Sequence, residues 1–343
     1  PRSSSSCQLP GTRPRGHSSF FAYDANGNLV ASTDALGNVT TYTYNSRGQV
    51  LSRTNALGET TRWTYDAQGN PQTITDPLGA ITTLTNDAAG RVIAATDPLG
   101  HTTTFAYDGF DRLLARTTAD GATIHFTYDA NGNRTSMTDA LGQVTRYAYD
   151  ATDQLVKITA PDDSETRFVY DANGNRTQII DPLGHSLTYR YDAANRLTDV
   201  TDALGRTTHF LLDENGNRIL TADPLGRTTA ILYDALDRPV RTTAPDEGIT
   251  TFAYDPAGNL VELTDPLRHQ TTWEYDALNR VLETTDPLNR TRLASYDAAG
   301  RIATQTNGRG QVLSSAYDAA GRPPSLDLAG TESITWSYDA AGN

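Results

Sequence analysis

The chain has 343 residues, 37% hydrophobic and 20% charged, with 27 glycines, 16 prolines and a formal charge of −13 at pH 7. Lysine and methionine occur once each (Lys157, Met137) and glutamate is scarce, whereas Thr, Tyr, Asp, Asn and Gly abound; this is strand-and-turn vocabulary, a poor fit to a helical bundle or a doubly wound α/β enzyme. The acidic balance disfavours a nucleic-acid binder, no apolar run reaches membrane-spanning length, and the single cysteine, Cys7, excludes an internal disulfide framework.

Residues 1–19 (PRSSSSCQLPGTRPRGHSS) lack an initiator Met and any apolar stretch fit for a signal peptide, and are read as a disordered or atypical lead-in. From residue 20 to 343 the chain is periodic. Tyr23 opens a 21-residue lattice on which Tyr recurs at 44, 65, 107, 128, 149, 170, 191, 233, 254, 275, 296, 317 and 338, broken only by Asn86 and Leu212. The following residue is Asp at every lattice point except Asn45. A fixed period of this kind marks a repeat architecture.

Each unit carries two reversal signals, as in Asp24-Ala25-Asn26-Gly27 and Asp34-Ala35-Leu36-Gly37. Asp at the first position accepts hydrogen bonds from the turn backbone, Ala or Pro suits the second, and Gly at the fourth takes positive φ, the pattern of a type I turn closed by a bulge. Strands of about 6 and 7 residues are left between them. Four residues after each lattice point stands Gly, Asn or Asp, including Asp111, Asp153, Asn195, Asp237 and Asn279, so the constraint there is on left-handed backbone. These non-Gly occupants lie 42 residues apart, which points to a two-hairpin block as the unit of duplication.

The strand entering each Tyr alternates by two. Thr40, Tyr42 and Tyr44 share one face, as do Thr61, Trp63 and Tyr65, or Thr103, Phe105 and Tyr107. The aromatic two residues before the lattice Tyr recurs as Phe126, Tyr147, Phe168, Tyr189, Phe210, Phe252, Trp273 and Trp336, predicting an aromatic ladder stacked across hairpins. The returning strand offers Val30, Leu51, Ile93 and Leu114 on a partly polar background and leaves its buried face unassigned. The predicted fold is all-β: tandem 21-residue hairpins in one long antiparallel sheet. Roughly thirty strands at about 4.8 Å spacing would run about 145 Å, beyond what an open twisted sheet sustains, so the sheet is expected to curl into a spiral shell.

The pattern Tyr-Asp-Ala-x-Gly-(Asn/Arg) followed by Thr-Asp-Pro-Leu-Gly, as in Tyr65–Gly79, Tyr170–Gly184 and Tyr254–Leu267 (with Arg268 in place of Gly), resembles the Rhs/YD-repeat family over residues 20–343, about fifteen units. Related repeats occur in bacterial Rhs polymorphic toxins, insecticidal Tc-toxin subunits, wall-associated proteins and teneurins. The resemblance implies a hollow β-shell, a C-terminal toxic cargo enclosed in it, and delivery by type VI secretion or a related route. The chain stops inside a turn at Gly342-Asn343, which reads as a fragment whose partners are its own missing N- and C-terminal regions, cargo included, together with secretion components. The family's self-cleavage signal has two Asp-Pro-x-Gly motifs; Asp76-Pro77-Leu78-Gly79 and Asp97-Pro98-Leu99-Gly100 lie on the repeat lattice and are read as ordinary turns.

No catalytic, cofactor-binding or metal-binding residue is assigned. Asp24-Ala25-Asn26-Gly27-Asn28 puts Gly fourth and Ala35 twelfth, unlike a calcium loop with Gly sixth and Glu twelfth. His101, His185 and His269 share one repeat position 84 residues apart, and His125 and His209 share another. Duplication explains that spacing; a stacked metal- or proton-binding column is the sharper alternative. Arg91, Arg112, Arg196, Arg238, Arg280, Arg301 and Arg322 follow the left-handed position and are expected to pair with turn aspartates. The function so read is a non-catalytic scaffold, not an enzyme, secreted or cell-surface in bacteria, with no cofactor, no nucleic acid and no membrane span. A second reading is an extracellular adhesion module whose Tyr and Trp rows bind glycan.

Overall fold

A computed structural model describes residues 19–323, 325–328 and 332–338. The expected lead-in over 1–19, with Cys7 and His17, lies outside the described residues except for Ser19, as does the terminal turn at Gly342. Among the described residues there are 31 strands and no helix, and all the strands belong to one sheet. Two compact units divide the chain, one made of residues 104–250 and the other of 1–103 with 251–343. Each follows the same grammar of antiparallel hairpins.

The first unit shows it at Thr123–Tyr128, Arg134–Thr138 and Val144–Tyr149, where Phe126 pairs with Met137 and Met137 with Thr145. The second shows it at Val39–Tyr44, Val50–Thr54 and Thr60–Tyr65, where Tyr42 pairs with Arg53 and Arg53 with Thr61. The register slips by one residue at the lattice Tyr of most hairpins. Tyr44 faces Val50 while Thr43 faces Ser52, leaving Leu51 as the extra residue of a bulge.

The reversals form as the Asp-x-x-Gly signals predict. The Gly27 N–H donates to the Asp24 carbonyl at 3.1 Å, the Asp24 N–H donates to the Asn28 carbonyl at 2.9 Å, and Asp24 Oδ1 accepts from the N–H groups of Asn26 and Asn28 at 2.9 Å each. Gly27 has φ of 86°, and Asp111, Asn195 and Asn279 take the same left-handed region at 64°, 60° and 61°. In three second turns the leading residue is neither Asp nor Asn, at Thr118, Ala160 and Ala244. There an Asp two residues later, Asp120, Asp162 or Asp246, accepts from the N–H of Ala122, Ser164 or Gly248 instead. The carboxylate has moved within the turn, not vanished.

No described residue is buried, so the sheet has no hydrophobic core of its own. Its two faces nevertheless differ. Thr40, Thr82, Thr103 and Thr250, on the aromatic face, are half-buried, whereas their neighbours Thr41, Thr83, Thr104 and Thr251 are exposed. The opposite face is held by hydroxyl pairs across strands, such as Thr54 with Thr60 at 2.8 Å and Thr64 with Thr73 at 2.6 Å. The returning strand supplies the aromatic face through Ile74, Ile158, Ile179, Val200 and Leu263, each opposite a ladder residue. Leu51 and Leu114 sit at bulges, each 38% exposed.

Candidate functional site

The repeated chemistry is concentrated where one hairpin meets the next. The lattice Tyr points back to the preceding hairpin, and its hydroxyl donates to the carbonyl fifteen residues earlier: Tyr44 to Leu29 at 2.7 Å, Tyr65 to Val50 at 2.9 Å, Tyr170 to Leu155 at 2.9 Å, Tyr317 to Ile302 at 2.8 Å. The accepting residue lies where the previous bulge leaves the regular ladder, as at Val50, so the bulge supplies the acceptor and Tyr fills it. Asn86, one of the two breaks in the tyrosine series, preserves the contact by donating Nδ2 to the Pro71 carbonyl at 2.7 Å. Partial burial pushes the Tyr44 and Tyr275 hydroxyls above the ordinary tyrosine range, so they stay protonated donors.

The arginines after the left-handed position pair with the Asp that opens their own turn: Arg91 with Asp87, Arg112 with Asp108, Arg196 with Asp192, Arg238 with Asp234, Arg280 with Asp276, Arg301 with Asp297 and Arg322 with Asp318. They also reach forward. The Arg112 guanidinium lies 5.1 Å from the centre of the Tyr128 ring and donates to the Asp129 carbonyl at 2.8 Å; Arg280 stacks on Tyr296 at 4.3 Å and Arg301 on Tyr317 at 4.5 Å. The side chain of Arg91 is the main group holding the Asp87 carboxyl below the ordinary aspartate range, and Asn28 does the same for Asp24.

Two contacts were not anticipated from the sequence. The ladder rings do not stack directly on one another, because a strand of the return direction separates them. In residues 104–250 an arginine fills the gap: Arg134 lies 5.8 Å from the Phe126 ring and 4.6 Å from Tyr147, and Arg176 lies 5.7 Å from both Phe168 and Tyr189. Their spacing of 42 residues was the available signal. The alternation of Gly and Asp/Asn turns also has a geometric basis. Asn131 and Asn133 donate to Asp153 of the next turn at 2.9 and 2.6 Å, Asn173 and Asn175 to Asn195, Asn215 and Asn217 to Asp237, and Asn259 to Asn279. The left-handed residue thus also receives the amide of its neighbour.

His101, His185 and His269 each turn Nδ1 to the Asp of their own turn, at 3.1, 2.9 and 2.9 Å. They do the same work as Arg206, Arg227 and Arg290 at that position. His209 pairs with Asp199 across strands, and His125 lies opposite Ala115 and Thr138. Among the described residues no three His, Cys, Asp or Glu side chains converge as a metal set would require, and no helix is long and apolar enough to cross a membrane. Asp76 Oδ1 accepts from the N–H of Leu78 and Ala80 at 2.9 and 2.8 Å, the ordinary turn geometry.

A family model described as RHS Repeat matches residues 23–58, 44–81, 87–123, 128–165, 170–207, 191–228, 233–270, 254–291 and 296–333. Among solved structures the chain is similar to the Tc holotoxin pore of Photorhabdus luminescens, at 13% identity and a TM-score of 0.64, over 94% of this chain and 24% of that one. It is also similar to TcdB2-TccC3-Cdc42, at 14% identity and a TM-score of 0.55 over 92% and 23%. The chain therefore spans about a quarter of the length of these relatives and shares the fold of that portion. No curated protein matches it.

Proposed function

Because the chain belongs to the RHS repeat family, we propose that it is a wall segment of a hollow β-shell that encloses a C-terminal toxin domain and helps deliver it. The observation that carries this reading is a 31-stranded single-layer sheet, held by neighbour-to-neighbour contacts, in which no described residue is buried. An ordinary domain covers one sheet face with a second layer around a core. A wall has a different task, which is to be thin, closed and indifferent to sequence at most positions. The fold shared with the Tc holotoxin pore at a TM-score of 0.64 supports it. Under this reading the segment performs no reaction, works outside the producing cell or at its surface, and meets secretion components through regions other than the repeats.

The test is electron cryo-microscopy of the product of the complete reading frame, with limited proteolysis alongside. A closed cavity and a C-terminal segment cut far more slowly than in the denatured protein are expected. An extended ribbon, or a C-terminal segment cut at the denatured rate, would remove the enclosing role. The adhesion reading finds support in scattered exposed rings, such as Phe20, Phe110 and Trp336, 53%, 82% and 42% exposed. Retention on a glycan array, lost when Trp336 is replaced by Ala, is the outcome that would favour it.

A further inference from the structure

The ladder position two residues before the lattice Tyr is large and apolar at every repeat from Phe21 to Trp273, with Leu84 and Ile231 standing in for rings. It then fails twice in succession, at Ala294 and Ser315, before Trp336 resumes it. The same stretch departs elsewhere. Arg292 replaces the usual Thr, Gln305 takes the place filled by Ile74 or Leu263, and the second turn reads Asn307-Gly308-Arg309-Gly310 instead of Asp-Pro-Leu-Gly. A Cβ on Gly308 would lie 2.9 Å from the Arg290 Cβ, so this turn seats more closely than a Pro or Ala at that position permits.

These departures meet in space. The pairing of Ala294 with Gln305, Gln305 with Leu313 and Leu313 with Leu328 puts a small residue at the head of one cross-strand row, beside the row Trp273–Thr284–Arg292. A cavity of about 680 Å³ opens there, floored by Val281, Ala294, Ile302, Leu313 and Leu328. Four charged side chains border it, Asp286, Arg290, Arg292 and Arg309. Asp286 and Arg290 neutralise each other at 2.6 Å. Among the described residues no group pairs with the guanidinium of Arg292 or Arg309, in contrast to the turn arginines that face an Asp.

From this geometry we infer a binding site, at the lapse in the ladder, for an amphipathic organic carboxylate. Its apolar body replaces the missing rings, and its anion is held by Arg292 and Arg309. The volume is in the range of small-molecule pockets, and a guanidinium pair is the group suited to a carboxylate. The site does not depend on the shell reading, since its walls come from the strands between residues 281 and 328 alone.

Calorimetric titration of the full chain with 4-phenylbutyrate, and with the uncharged 4-phenylbutan-1-ol, tests it. Saturable binding of the carboxylate is expected, about tenfold tighter than that of the alcohol, as loss of a charge-assisted contact predicts. The double change Arg292→Ala with Arg309→Ala should erase that difference, and Ala294→Trp should abolish binding of both by filling the cavity. Equal affinity for the two compounds, carboxylate binding untouched by the arginine changes, or no saturable binding would each overturn the proposal. Far-UV circular dichroism identifies a misfolded tryptophan variant; the arginine variant then decides.

Discussion

The lattice tyrosines were legible as a period, but their task was not, because the acceptor is a backbone carbonyl and leaves no mark in the sequence. Tyr65→Phe removes only the donor to Val50 and should cost about 1 kcal/mol. Urea unfolding of the variant beside Tyr65→Asn checks it, because Asn86 shows that an amide can make the same contact and the Asn change should recover part of the loss. The left-handed positions of the first turn were fully legible, since only Gly, Asn and Asp occupy them. The second turn admits two residues without that tolerance, Glu247 at φ of 66° and Arg268 at 67°. Arg268→Gly should therefore raise stability by about 1 kcal/mol, read as a higher urea midpoint at unchanged slope.

At the scale of the hairpin, the strands and turns were readable because alternation and turn chemistry are both local. The face of the returning strand was not. Each bulge removes one residue from the two-residue count, so counting on from Leu51 or Leu114 lands on the bulge itself, whereas Ile74 and Ile158 lie opposite the rings. The turn carboxylates set the response to acid. Asp87, Asp192 and Asp286 are held below the ordinary aspartate range first by their arginines, and Asp24 and Asp66 first by their asparagines. Because the folded-state values are depressed, their contribution is complete above the unfolded value near 4 and is lost as pH falls below it toward the folded values. Melting temperature should thus hold steady from neutral pH down to about 5 and decline below about 4. Asn at 87 and 192 should blunt that decline.

For the whole molecule, with no described residue buried, stability must be a sum over hairpins and the contacts between them, as in other arrays. The Asn-to-Asp/Asn amide contacts make the two-hairpin block, not the single hairpin, the unit of that sum. Deleting residues 149–190 keeps a Gly turn followed by a left-handed Asn, so Asn131 and Asn133 meet an acceptor again; deleting 149–169 sets them against Gly174. The longer deletion should be better tolerated than the shorter by about 0.5–1 kcal/mol in urea unfolding. The block was visible in the sequence as a spacing, and its reason appears only when adjoining turns are seen side by side.

Since the contacts of each lattice Tyr and turn Arg reach no farther than the adjoining hairpin, a pull on one end loads a single rung at a time. The ribbon then unzips, each rupture freeing one unit of 21 residues, about 70 Å of extended chain. Optical-tweezer traces would show a staircase of small equal steps in place of one abrupt collapse. A fabric that ravels stitch by stitch can be threaded through a narrow opening without the remainder giving way.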